Sequence, residues 1–195
     1  MADLIIKPTS GNLLIKDDQD ATRMTVATST GNISLGTVTA GTIGTGVTKK
    51  IHAFSAYNSV ADCAIPNNSW TEASAVGTWV ENFDSLGHYA SGRFTPTVQG
   101  IYLCGYSVVL TQLDTSERLR CALRRNGVDT ATNIYAFNQQ FSYLASNYTQ
   151  GVSGSAIIQL DTNDYVSLWV DHNENDTQNL AINETQFWGT YIGTV

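Results

Sequence analysis

Apolar and polar residues along this chain follow the two-residue period of β-strands, and no segment of ten or more residues shows a clear helical period. Leu119, Cys121 and Leu123 alternate with Arg118, Arg120 and Arg124, which predicts a strand with one buried and one wet face. Ile101 through Leu110 is a β-branched and aromatic run of strand type. Ile157–Leu160 and Tyr165–Val170 read as two strands around Asp161-Thr162-Asn163-Asp164, a turn of residues that favour turns. Asn126-Gly127 is a hairpin signal, since both positions tolerate φ > 0. Phe187–Ile192 closes the chain as a further strand. The expected class is all-β, and a βαβ architecture is disfavoured.

The first fifty residues carry a different pattern. Leu4-Ile5-Ile6-Lys7 recurs as Leu13-Leu14-Ile15-Lys16 around the turn-like Pro8-Thr9-Ser10-Gly11-Asn12, which reads as a hairpin or two successive strands. Gly31, Gly36, Gly41 and Gly46 then fall every five residues, and Ile33, Val38 and Ile43 keep the same step. A flexible linker has no need of Ile and Val at fixed steps, so an ordered, extended β-rich stem is expected. Three copies around one axis would cover its apolar rows and strand edges.

Composition sharpens the division. All 19 aromatic residues lie between Phe54 and Tyr191, and Lys7, Lys16, Lys49 and Lys50 are the only lysines. Aromatic rings supply much of a core's buried area, so the expected organisation is a stem over 1–50 and a globular head over 51–195. Charged residues are 14% of the chain, well under the roughly 25% of soluble domains, and 42% are hydrophobic, which argues for order and for surface covered by other subunits. A net charge of −7 argues against nucleic acid as a partner. Cys63, Cys104 and Cys121 are odd in number and widely spaced, which supports neither a disulfide framework nor a zinc site and predicts buried free thiols. No apolar stretch is long enough to span a membrane, and the N-terminus lacks a secretory pattern, so synthesis in a host cytoplasm is expected.

Within the head, Ala53-Phe54-Ser55-Ala56, Phe83-Asp84, His88-Tyr89, Gly92-Arg93-Phe94-Thr95-Pro96 and Gly100-Ile101-Tyr102-Leu103 stand in order. Leu123–Gly127, Ser153-Gly154-Ser155 and Phe187-Trp188-Gly189-Thr190-Tyr191-Ile192 follow. This set resembles the jelly-roll heads of the complement C1q / tumour necrosis factor family over residues 52–195. The resemblance implies a ten-stranded jelly-roll sandwich packed as a homotrimer. Phe54, Phe83, Tyr89, Phe94, Tyr102, Trp169, Phe187 and Tyr191 would fill its core or line its threefold axis, and the sequence does not say which. The opening Ala2–Leu13, followed by a Gly/Thr-rich β-stretch, resembles structural proteins of phages of marine bacteria. That resemblance implies attachment to a particle through Leu4, Ile5, Ile6, Leu13, Leu14 and Ile15. Neither a secretory signal nor collagen triplets are present, so the vertebrate family's immune and hormone roles are not carried over.

Candidate chemistry is sparse. His52, His88 and His172 stand in no Ser/His/Asp ordering, and Gly-x-Ser-x-Gly is absent. Asp171, Asn173, Asn175 and Asp176 begin like a calcium loop, but Asp176 and Ile182 occupy the places where an EF-hand needs Gly and Glu. A solvated polar loop is the preferred reading over a cation site. Arg118, Arg120, Arg124 and Arg125 form the basic cluster, expected to pair with carboxylates of a neighbouring subunit in preference to an anionic ligand. The expected protein is non-enzymatic and needs no cofactor. It is a homotrimeric phage fibre, spike or decoration protein of the virion, bound to capsid or tail proteins by its stem and to a host or environmental surface by its head. A secreted or surface bacterial binding module, or a small glycan hydrolase of a tail spike, are the alternatives.

Overall fold

The computed structural model describes residues 13–16, 22–26, 33–35, 51–142 and 148–194, in two compact units, Met1–Thr48 and Lys49–Val195. In the first unit β1 (Leu13–Lys16), β2 (Thr22–Val26) and β3 (Ile33–Leu35) form an antiparallel sheet in that order. Its register aligns the apolar positions Leu13, Val26 and Ile33, and likewise Ile15, Met24 and Leu35. Leu13–Lys16 thus pairs with Thr22–Val26. Leu4, Ile5 and Ile6, and the glycines at five-residue steps, lie outside the described residues.

The second unit is a jelly-roll sandwich. Its elements are β4 (Ala53–Asn58), β5 (Ala64–Ile65), β6 (Thr71–Glu72), a 3₁₀ turn at Ala73–Ala75, β7 (Trp79–Asp84), β8 (Tyr89–Ala90) and β9 (Arg93–Phe94). After them come β10 (Gly100–Leu113), β11 (Arg118–Arg125), β12 (Ile134–Phe141), β13 (Tyr148–Leu160), β14 (Val166–His172), β15 (Gln178–Asn179) and β16 (Gln186–Gly193). One antiparallel sheet runs β13-β10-β16-β4-β7 and the other β12-β11-β14-β9-β8, with β6 also on β14; β5 and β15 form a small pair. Strands far apart in sequence lie side by side in both layers, as a jelly roll requires.

The two-residue period decides which side chains go between the layers. On β10, Tyr102, Cys104, Tyr106, Val108 and Leu110 are buried; β11 contributes Leu119, Cys121 and Leu123, and β14 contributes Val166, Leu168 and Val170. Phe54 is the hub. Its ring lies 4.5 Å from Phe94 and 4.8 Å from both Tyr89 and Phe187, while Phe94 meets Tyr102 at 5.6 Å and Tyr102 meets Tyr191 at 5.4 Å. Phe54, Tyr102, Phe187 and Tyr191 come from the first sheet and Tyr89 and Phe94 from the second, so the cluster joins the layers. Gly92 makes this approach possible. Its φ is +76°, and a Cβ there would sit 1.7 Å from the Ser74 carbonyl oxygen, so no side chain fits.

Two of the eight rings lie outside the core, and one expectation is corrected. Phe83 is not in the core; it is 52% exposed on β7, the edge strand of the first sheet. Trp169 also lies outside the inter-sheet cluster, half-buried on β14. Asn126 and Gly127 do form a turn with φ of +55° and +67°, but the chain runs on to Asn133 before Arg124 pairs with Ile134. The hairpin is therefore a long connection and not a two-residue one.

Replacing Phe54 with Ala should cost about 3–5 kcal/mol of stability, because it opens a cavity beside three other rings. Phe83→Ala should cost within about 0.5 kcal/mol, as an exposed substitution does. Denaturant titrations of the two variants check the contrast.

Candidate functional site

The groups most suited to covalent or acid–base chemistry are taken up by the fold. Cys63, Cys104 and Cys121 are free and buried; burial pushes the first two thiols up to about 12 and holds Cys121 well above its ordinary value. They remain thiols at neutral pH, which are poor nucleophiles. His172 is fully buried, with Nε2 2.7 Å from the Ile65 carbonyl oxygen and Nδ1 accepting the Glu174 N–H at 3.2 Å. His52 and His88 stack in parallel and share a hydrogen bond of 2.8 Å between Nδ1 and Nε2. Burial, and then the charge of His52, hold His88 below its usual range against an opposing pull from Asp84.

The candidate cation donors do not converge. Asp171 belongs to β14 and is buried, its carboxylate 2.6 Å from Arg120 Nη2 and 3.7 Å from Arg118 Nη2. The Asn173 side-chain oxygen accepts the backbone N–H of Arg118, and Asn175 and Asp176 are exposed beyond it. Among the described residues no group of three or more His, Cys, Asp or Glu is arranged around a metal. Asp171 instead pairs with Arg118 and Arg120 within its own chain.

Two outward sheet faces remain, and they differ in charge. On the first sheet, β4, β10, β13 and β16 contain no charged residue. Register places Leu103 opposite Ile157 and Thr190, and Trp188 opposite Gly105 and Ser55, on the outward side. Trp188 lies flat across the sheet because Gly105 has no side chain: a Cβ there would be 2.3 Å from the indole. Ile157 is 64% exposed, and Phe83 sits opposite Ser55 on the same face.

On the second sheet, Arg118, Arg120, Ala122 and Arg124 of β11 face outward, opposite Phe141 and Gln139 of β12 and Asp171, Trp169 and Ser167 of β14. Arg124 breaks the expected wet face, being 3% exposed. Its guanidinium lies 4.4 Å from the Trp169 ring and 4.8 Å from the Trp70 ring, a cation–π clamp. Arg120 lies 5.1 Å from the other partner of that ladder, Trp70, which meets Phe137 at 6.3 Å. Burial lowers the pKa of Arg124, opposed by Asp129 at 3.3 Å from Nη2. Trp70 was not singled out in the sequence; its only signal is an aromatic residue in a polar segment, Asn67-Asn68-Ser69-Trp70-Thr71.

A family profile described as the C1q domain matches residues 72–192. No curated protein sequence matches the chain. Among solved structures, the fold is similar to Eiger TNF from S. frugiperda, at TM-score 0.54 and 10% identity over 75% of this chain and 96% of that one. It is also similar to murine APRIL at pH 5.0, at TM-score 0.53 and 12% identity over 73% of this chain and 100% of that one. The globular domain of zebrafish complement 1qA matches at TM-score 0.48 and 15% identity over 73% of this chain and 96% of that one.

His88 gives the head a pH dependence with a definite sign. Its folded pKa lies below the ordinary 6.5, so the unfolded chain takes up the proton first. Stability should be full above that value and fall as pH drops from about 6.5 through the folded pKa. Melting temperatures at pH 7.5 and 5 should show a loss that His88→Gln reduces; an equal loss in both proteins would contradict the assignment.

Proposed function

Since this chain belongs to the C1q domain family, we propose that it is a non-enzymatic, homotrimeric binding module. Domains of the C1q/TNF type are often trimeric binding modules and generally not enzymes. The observation that carries the reading is the outward face of the first sheet. Four adjacent strands expose Leu103, Ile157, Trp188 and Ile192 with small polar residues and not one charge, in a chain of net charge −7. A monomer gains nothing from keeping charges off so broad an area, whereas the core of a subunit interface is depleted of charge and enriched in aromatic residues.

Its place of work in this proposal is a phage particle. The stem, residues 1–50, attaches to capsid or tail proteins through Leu4, Ile5, Ile6, Leu13, Leu14 and Ile15, and the head faces a host or environmental surface. What supports this is the likeness of Ala2–Leu13 to phage structural proteins, together with short antiparallel strands in the first unit that a partner can extend by strand addition.

Ile157→Glu should leave the melting of the isolated fold nearly unchanged but yield monomers in sedimentation at micromolar concentration, because a buried unpaired carboxylate opposes association. A trimeric variant would contradict the assigned face. A fusion of residues 1–48 to an unrelated trimeric reporter should bind particles that lack this protein; binding by the head and not by the fusion would reverse the assigned polarity.

A further inference from the structure

Every cation of residues 51–195 lies on the second sheet: Arg93 on β9 and Arg118, Arg120, Arg124 and Arg125 on β11. The same stretch holds 13 Asp and Glu, so the outward face of β11, with Arg118, Arg120 and Arg124, gathers positive charge on an acidic head. The positive charge is not fully matched by in-chain partners. Arg118 and Arg120 share the single carboxylate of Asp171. Asp129, exposed, stands 3.3 Å from Arg124 Nη2 but out of hydrogen-bonding geometry. Arg118 Nε, Arg124 Nε and Arg124 Nη2 are buried donors without a hydrogen-bond acceptor, although Arg124 is 3% exposed and buried donors are otherwise nearly always paired.

Aromatic rings are interleaved with these donors. Trp70 lies over Arg120 and Arg124 and beside Phe137; Phe137 is 51% exposed and Phe141 is 41% exposed, and Gln139 stands exposed opposite Arg120. We infer that this outward face of β11, β12 and β14 is a binding site for a carboxylate-bearing polysaccharide, a chain of uronic acid units. The inference rests on the binding-module reading above and names its ligand.

Three features select that ligand chemistry. Positive charge gathered on one face of an acidic head gives that face complementarity to a polyanion and orients it. Arg120 holds Asp171 Oδ2 from Nε at 2.7 Å and from Nη2 at 2.6 Å, and Arg93 grips both oxygens of Glu72 at 2.8 and 2.9 Å, the two ways in which a guanidinium on this sheet takes a planar carboxylate. The rings of Phe137, Phe141 and Trp70 offer apolar surface to the C–H faces of sugar rings, while the Gln139 amide suits sugar hydroxyls. An acidic polypeptide would satisfy the arginines but leaves this aromatic stripe without a matching partner.

The test uses the full-length protein and polygalacturonate in a buffer with a divalent-cation chelator. Neutral dextran, dextran sulfate and polyglutamate serve as comparisons. Polygalacturonate should bind, more weakly as salt rises. Arg118→Gln and Phe137→Ala should each weaken binding about tenfold, the size of one lost charge-assisted hydrogen bond or ring contact, with melting temperatures held. Absence of binding to polygalacturonate, equal binding to dextran, or tighter binding to dextran sulfate or polyglutamate would each overturn the proposal. The mass of the same sample separates this from the parent reading. A trimer that ignores polygalacturonate defeats the site alone, and a monomer that binds it defeats the trimer while the site stands.

Discussion

Two sheets stay together only through what passes between them, and here that is the stack of rings around Phe54. Phe94 and Tyr89 reach up from the second sheet to meet Phe54, Phe187 and Tyr102 of the first. Offset and edge-on aromatic contacts add to the area the rings bury, and the rings are rigid, so the cluster sets the spacing of the layers as well as their cohesion. Short β8 and β9 supply its lower half from only two residues each, which works because Gly92 lets their connection press against the backbone of Ser74. With the interior closed this way, the outward faces carry no structural burden beyond keeping their strands.

Those faces are free to specialise, and their charges are sorted accordingly. The first sheet is uncharged on four of its five strands, and the second holds every cation of the head. Burying the first against other copies removes apolar surface from water without desolvating a charge. Displaying the second leaves arginines oriented by Asp171 and by indole rings, so little side-chain entropy remains to be lost on binding. A trimer would set three such arginine faces outward and raise a weak single contact to a useful avidity.

Strands were legible where one side of the strand is buried and the other is not. β11 announces itself by Leu119, Cys121 and Leu123 between arginines, and β10 by a long β-branched and aromatic run. The ordered signature from Ala53 to Ile192 carried the jelly roll, because its glycines and aromatics answer to backbone space and core volume. What failed to show were contacts made across long sequence distances. Trp70 meets β11 some fifty residues later, and no period marks that contact, so Arg124 read as solvent-exposed. Asp171 and His172 read as a polar loop, yet they extend β14, since two arginines neutralise one and backbone groups satisfy the other. Phe83 read as a possible core ring because an aromatic in a strand usually is one, but β7 lies at the sheet edge and turns it outward.

In the proposed assembly the uncharged face is turned inward upon other copies and the arginine face outward. A three-dimensional reconstruction of the purified full-length protein by electron microscopy tests it most directly. Three copies around one axis are expected, with Ile157 and Trp188 covered by neighbours and Phe137 and Arg118 at the surface. A particle in which Ile157 and Trp188 face solvent, whether as a monomer or with the arginine face buried between subunits, would contradict it.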